Sequence, residues 1–474
     1  MKYAISFFGL LILIISGVLF FQYQVYSDKL EAGEGDFYYT QEIEITYRSN
    51  SLDIRQHFKN LPNQTIDIVW PKNAESPDCS IESETSCSRL SEDKSKFEKG
   101  DALSQSLSYI IPLDGGLKSK QLIKDIFVGL SNGKVSYSTV HISTDSEILG
   151  QWITGLPLIG QQQLSLVNYA LFSGAGPVSE VYWQDGNIKL QKSTDNLSIF
   201  SKSALSNELL KGLENLHFLN DKHIAIVQGQ NLSSQQGKRI LFLGDLTIDS
   251  IEKNVIVSQA KSLYDFGDSP KWLSQVVASF ITDSEIGGKK STEIVDTLKN
   301  QMTDEQLKEW VERLEKLKGE KVSPKILDEG LSEVFGHHTQ YLSLNASIEG
   351  IFPFLFNDNR GVYVGTDQID NVKVVFKDGF VYYTADPLLK HLGYEVSVGK
   401  NGYYVRNEAS NFRFPKDYGF YVYNETRYNT VSEPVIEIAG SHYVEETWLQ
   451  RLFAVEIDKS DNAISIKPTA TLQQ

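Results

Sequence analysis

The sequence predicts an α+β fold class, a multidomain ectodomain carried on a single N-terminal transmembrane helix. Three observations predict it. An uncharged apolar run opens the chain, a long acidic remainder mixes period-two and helical patterns, and a degenerate duplication lies near the end.

The opening run sets the topology. Residues 3–27 carry no charge, and residues 3–21 (YAISFFGLLILIISGVLFF) are apolar almost throughout, about the length that crosses a bilayer as a helix. Lys2 lies before the run, while Asp28, Glu31, Glu34 and Asp36 follow it. Positive charge stays inside, so residues 1–27 read as an uncleaved signal-anchor with the N-terminus in and the C-terminal ectodomain outside. A cleaved signal peptide is the alternative. Tyr23 and Tyr26 supply interfacial rings. The expected location is the cell membrane, single-pass, and the first expected partner is the membrane itself, through this helix.

Net charge is -16, from 45 basic and 61 acidic residues, which argues against a nucleic-acid surface because such surfaces need a basic footprint. Hydrophobic residues at 41% and aromatics at 11% suffice for packed cores. The two cysteines, Cys79 and Cys87, share the polar loop PDCSIESETSC. In an exported chain such a local pair forms a disulfide. A metal site needs further ligands, and no other Cys or His lies within about 20 residues of the pair.

Along the chain, 37–192 reads as a mixed α/β region holding the disulfide loop. QEIEITYR and QTIDIVW alternate as strands, whereas SLDIRQHFKNL, SKQLIKDIFVGL and QQQLSLVNYALF carry helix-like apolar stripes. SEVYW and IKLQ flank Asp185-Gly186, a hairpin signal. Residues 197–262 read as β-rich, with HIAIVQG, RILFLGDL and KNVIVSQA as strands. Residues 269–335 form a helical module: Ser269-Pro270 and Ser323-Pro324 are helix starts, and Thr303 to Gln306 is a capping box. Its charge run at i,i+4 is a solvated face.

Within 366–468 a duplicated β-β-α-β-β unit is visible. Tyr383, Leu389 and Leu392 of the first copy match Tyr443, Leu449 and Leu452 of the second. Two such units can cover each other's apolar sheet faces. With Gly379 to Tyr383, Leu392-Gly393 and Val396 to Val398 in copy one, and Gly440 to Val444 and Val455 to Asp458 in copy two, this region resembles the copper amine oxidase N-terminal-like domain. That domain is the stalk module of many Firmicute cell-surface proteins. The family's usual Pro and Trp are replaced, by Thr384 and Gly399 in copy one. Phe127 to Gly129 and Leu164 to Gly186 fit loosely the sporulation- and germination-type domain of Gram-positive envelope proteins, so 105–192 resembles that domain. Both resemblances imply a bacterial cell-envelope setting and no copper site, since neither Asn-Tyr-[Asp/Glu] nor His-x-His occurs.

Catalytic motifs are sparse. Gly129-Leu-Ser131-Asn-Gly133 spells G-x-S-x-G, but a nucleophile elbow joins a strand to a helix, and here the reading is helix end and turn. The S-x-x-K strings lack a following K-T-G, and His337-His338 is the only adjacent His pair. The expectation is therefore no enzyme, no cofactor and no metal. The function expected is a non-enzymatic membrane-anchored envelope protein whose ectodomain binds or scaffolds wall polymer or other envelope proteins. The alternative is an anchored envelope hydrolase with a carboxylate site in 105–262.

Overall fold

The computed structural model describes residues 36–186, 188–229, 236–416 and 419–469. The chain divides into two compact units, one up to Ser262 and one from Leu263.

The first unit opens on a seven-stranded sheet. Its spatial order is Leu158–Gln163, Val167–Ala175, Gly133–Asp145, Phe37–Arg48, Ser51–Lys59, Gln105–Pro112 and Glu75–Cys79. Neighbours are antiparallel except Phe37–Arg48 and Gly133–Asp145, which run parallel. Strict alternation in Phe37–Arg48 buries Tyr39, Ile43 and Ile45 on one face, as a half-buried strand requires. A small sheet of Gly150–Thr154, Glu180–Asp185 and Gln121–Lys124 follows. The unit ends in a four-stranded sheet ordered Lys189–Ser193, Leu197–Ser201, Ile224–Gln228 and Ile240–Leu243. The last three strands are parallel, and the helix Ile248–Leu263 follows them.

Several expected elements are corrected here. Among the described residues no helix precedes Asn207–Gly212, so the three helices expected in 37–192 are strands. Ser51–Lys59 buries Leu52, Ile54, Gln56 and Phe58 in alternation. Because Gln56 occupies an apolar slot, the remaining apolar residues fall at helix-like intervals and hide the period of two. The amide fits there because its polar atoms are all used. Its Nε2 donates to Gln41 Oε1 (2.8 Å) and Val128 O (2.9 Å), and its Oε1 accepts from Tyr109 OH and the Val128 N–H, each at 3.0 Å. Conversely, KNVIVSQA belongs to a helix, with Ile251, Val255, Ile256 and Ala260 inward. Packing at i,i+4 overrides the β-branched run.

The second unit begins with helices Lys271–Thr282, Lys289–Gln301, Asp304–Lys316, Pro324–Phe335 and Tyr341–Ala346. Their core includes Leu273, Val277, Trp310, Leu314, Leu327 and Leu331. Thr303 and Gln306 form a reciprocal capping box on Asp304–Lys316. Beyond them, β-β-α-β-β occurs twice, with helices Ala385–His391 and Glu446–Phe453. The first hairpins of the two copies join in one sheet through Tyr383 opposite Val444, and Tyr383 OH donates to Glu446 Oε2 at 2.6 Å. Leu389 and Leu449 are fully buried in a common core, against which Leu392 and Leu452 pack partly exposed.

The anchor expected over 1–27 lies outside the described residues, and among those described no helix is long and apolar enough to cross a membrane. The transmembrane fold class, the membrane as partner and the single-pass location therefore find no support among the described residues. An apolar run marks a segment that avoids water, not the surface that shields it.

Candidate functional site

Two parallel strands of the first unit start with paired basic residues at the same sheet edge. Lys222-His223 precedes Ile224–Gln228, and Lys238-Arg239 precedes Ile240–Leu243. Ala225 is level with Ile240, so parallel pairing brings the two basic pairs together. The C-terminal part of helix Ile248–Leu263 adds Ser258, Gln259 and Lys261 to the same place. The result is a cleft of about 270 Å³ lined by Lys222, Lys238, Arg239 and Lys261 together with neutral residues. No carboxylate lines it, in a chain whose net charge is -16.

Arg239 is 6% exposed. Its Nε donates to His223 O, and its Nη1 donates to Ala175 O and Pro177 O, each at 2.9 Å. Nη2 is buried and has no hydrogen-bond partner among the described residues. The side chain lies so close to Gly155 that a Cβ on that residue would stand 2.2 Å from Arg239 Cβ, which any larger residue would turn into a clash. Buried Glu180 faces the same strand start, but its Oε1 accepts the backbone N–H groups of Arg239 (2.7 Å) and Ile240 (3.1 Å). Burial pushes the Arg239 guanidinium down to about 10, against the opposing charge of Glu180. Lys222 is lowered as well, first by burial and then by the Arg239 charge. Among the described residues neither Lys222 nor Lys238 forms an ion pair.

Side-chain hydrogen bonds hold the cleft wall. Ser258 Oγ donates to Lys238 O (2.9 Å), Gln259 Nε2 donates to Asn220 O (2.9 Å), and Gln259 Oε1 accepts from the Leu219 N–H (2.6 Å).

An adjoining cleft of about 390 Å³ is lined by Asp195, Asp221 and His223 with Pro157, Gly174, Ala175 and Asn196. His223 Nδ1 is 2.9 Å from Asp195 O, and Nε2 is 2.9 Å from Ser198 Oγ. A carbonyl can only accept, so Nδ1 carries the proton and Ser198 donates to Nε2. Burial pushes the imidazole down to about 4, and it is neutral near pH 7. Ser198 is completely buried.

Cys79 and Cys87 are joined, with their Cα atoms 5.9 Å apart, and they close a loop at the edge strand Glu75–Cys79. Gly129–Leu130 and Gly133–Asp145 are strands around a turn, so Ser131 has no elbow geometry. His337 packs on the Phe356 ring (5.4 Å between centroids). Burial raises Asp328, which lies outside 105–262 and accepts the N–H groups of Leu342 and Ser343 at 2.8 and 2.9 Å, as a helix cap. Sequence reasoning missed Lys222, Lys238, Arg239 and Lys261 altogether. The one available signal was a basic pair before each of two apolar strands in an acidic chain.

No protein-family model matches the chain, and no curated protein matches it. Among solved structures, similar ones include a variant of the M1 zinc metallopeptidase from Deinococcus radiodurans (10% identity, 67% of this chain and 94% of that one, TM-score 0.37). The same enzyme is matched without the mutation (10%, 66% and 93%, TM-score 0.35). A variant bound to a Tyr-Ser-Ala substrate is matched too (11%, 64% and 92%, TM-score 0.35). At these values the likeness transfers no residue role.

Neither a copper amine oxidase stalk module nor a sporulation- and germination-type domain is found, and both resemblances are withdrawn with the cell-envelope assignment built on them. The shared letters sit at turns and helix ends, where any β-β-α-β-β unit needs Gly and apolar residues. The expectation of a non-enzymatic scaffold rested on missing motifs alone, which say nothing about a site assembled from distant residues, so it is not kept either.

Among the described residues no donor set fits zinc. A His-Glu-x-x-His helix occurs nowhere in the sequence, and among the described residues no cluster of three or more His, Cys, Asp or Glu is placed to hold a metal ion.

Proposed function

We propose that the first unit binds a ligand or substrate through a carboxylate or phosphate group held in the cationic cleft. Arg239 carries the reading: a guanidinium 6% exposed, with Nη2 unpartnered, in a cleft lined by three lysines and no acid. Crowding like charges in a partly buried cleft is costly even with Glu180 nearby, and an anion held by the cleft lysines would offset that charge through charge-assisted hydrogen bonds. Calorimetric titration of the full chain with inorganic phosphate and with a small tricarboxylate is the test. Saturable binding is expected that weakens at least tenfold in Lys238→Gln, with an uncharged polyol as the control. Absence of binding by both anions sinks the reading.

A second reading, hydrolysis within 105–262, is favoured by Asp195 and Asp221 lining the cleft beside His223. General acid–base work needs two such groups near one bond. Ser198 is excluded as nucleophile because it is fully buried. With a panel of ester, phosphoester and peptide substrates, Asp221→Asn should cut turnover at least 100-fold while leaving anion affinity unchanged. No turnover on any member counts against it.

A further inference from the structure

Among the described residues the outermost strand of the seven-stranded sheet, Leu158–Gln163, pairs on one side only, with Val167–Ala175. Every residue from Ile159 to Leu166 is exposed. Ile159 is 60% exposed, Leu164 51% and Leu166 83%. A free strand edge offers a row of unpaired N–H and C=O groups, and exposed edges are ordinarily blunted by charge, proline or irregularity. None of that blunting covers 160–163. A bulge falls between Leu158 and Gly160, and from Gly160 to Gln163 the strand is in regular register with Leu171 to Asn168.

The charge pattern identifies what covers this edge. Residues 151–179 contain no Asp, Glu, Lys, Arg or His, although 22% of the whole chain is charged. Two copies of a chain at -16 repel over most of their surfaces, and an uncharged edge lets them approach without like charges meeting. A basic partner would gain nothing here, because there is no acid to pair with. A strand edge is also self-complementary, since a two-fold axis beside it places the same strand antiparallel against itself.

We propose that two copies of this chain associate edge to edge through antiparallel pairing of Leu158–Gln163, with Ile159, Leu164 and Leu166 as the apolar contacts. Sedimentation velocity on the full chain over a concentration series tests it. A monomer–dimer equilibrium is expected, and the double variant Ile159→Lys/Leu166→Lys should raise its dissociation constant at least tenfold while the melting temperature of the monomer stays unchanged. Because these side chains are exposed, the lysines remove no core contact. An independent measurement uses the single variant Gln161→Cys, which should give a disulfide-linked dimer under mild oxidation when Ser203→Cys does not. A chain that stays monomeric at all concentrations, a dimer indifferent to the two lysines, or equal cross-linking at both positions overturns the proposal.

Discussion

Arg89 and Arg239 are both buried in the first unit, 3% and 6% exposed, and they are finished differently. Every nitrogen of the Arg89 guanidinium has an acceptor. Nε donates to Glu98 O (2.7 Å), Nη1 to Ala102 O (3.0 Å), and Nη2 to both Pro62 O (2.9 Å) and Gln64 O (2.6 Å). Burial lowers its pKa and the charge of Asp101 opposes the shift. Among the described residues Arg239 keeps Nη2 without an acceptor, with Lys222 as a like-charged neighbour and Glu180 as the opposing charge. A fold that fully satisfies one buried arginine has the means to satisfy another. The difference separates a cation that closes a loop from one whose hydrogen bonding is incomplete among the described residues.

The largest effect expected from this contrast is on stability. Arg89→Met strips the donors from four carbonyls at once, and each buried group left unpaired costs about 1–3 kcal/mol. Allowing for relaxation, the loss should reach at least about 3 kcal/mol. Arg239→Met also unpairs carbonyls, those of Ala175, Pro177 and His223, and takes from Glu180 an opposing charge, but it removes a guanidinium with incomplete hydrogen bonding and its repulsion of Lys222. The second variant should therefore lose clearly less in urea unfolding. Equal losses would break the comparison and make Arg239 a second structural arginine.

The two arginines also show what was legible in the sequence. The helices from 271 to 335 were visible because their signals are local: Pro after Ser, a capping box, and apolar residues at i,i+3 and i,i+4. The duplicated hairpins were visible because Asn-Gly and Asp-Asn turns sit between alternating strands. Ser51–Lys59 was misread because buried Gln56 broke its alternation, since periodicity counts hydrophobicity and not burial. The cationic cleft was invisible for a stronger reason. Lys222 and Arg239 meet only because two strands run parallel at one register, and no spacing in the sequence records that pairing.

His223 gives the next effect. Its pKa in the fold is about 4, against an ordinary 6.5, because burial disfavours the imidazolium. Between these values the unfolded chain binds the proton and the folded chain does not. Stability contributed by the neutral ring is present above pH 6.5 and is lost as pH falls toward 4. The loss amounts to about 3 kcal/mol. His223→Gln should flatten this stretch of the stability–pH curve, read by urea midpoints at half-unit steps. A wild-type curve that is already flat from 6.5 to 4 leaves His223 without the role assigned to it.

Lys222 supplies the smallest effect and the most direct test of the open arginine. Its ammonium is disfavoured by burial and by the Arg239 charge, so it is held in the cleft at a cost that an anion would offset. In Lys222→Gln the side chain keeps its reach and loses the charge, and Arg239 loses its repelling neighbour. Without ligand the variant should be as stable as the parent or slightly more so. Phosphate affinity should fall about tenfold, which is about 1.4 kcal/mol. Because the folded pKa of Lys222 lies below the usual lysine value, affinity in the parent should begin to fall as pH rises while ordinary surface lysines are still charged. The variant should not show that early decline. Stability and affinity thus move in opposite directions at one residue, whereas a lysine serving only the fold would lose both together. A Lys222→Gln protein that is less stable and binds phosphate as tightly as the parent would assign Lys222 to the scaffold and leave Arg239 without a cationic partner in binding.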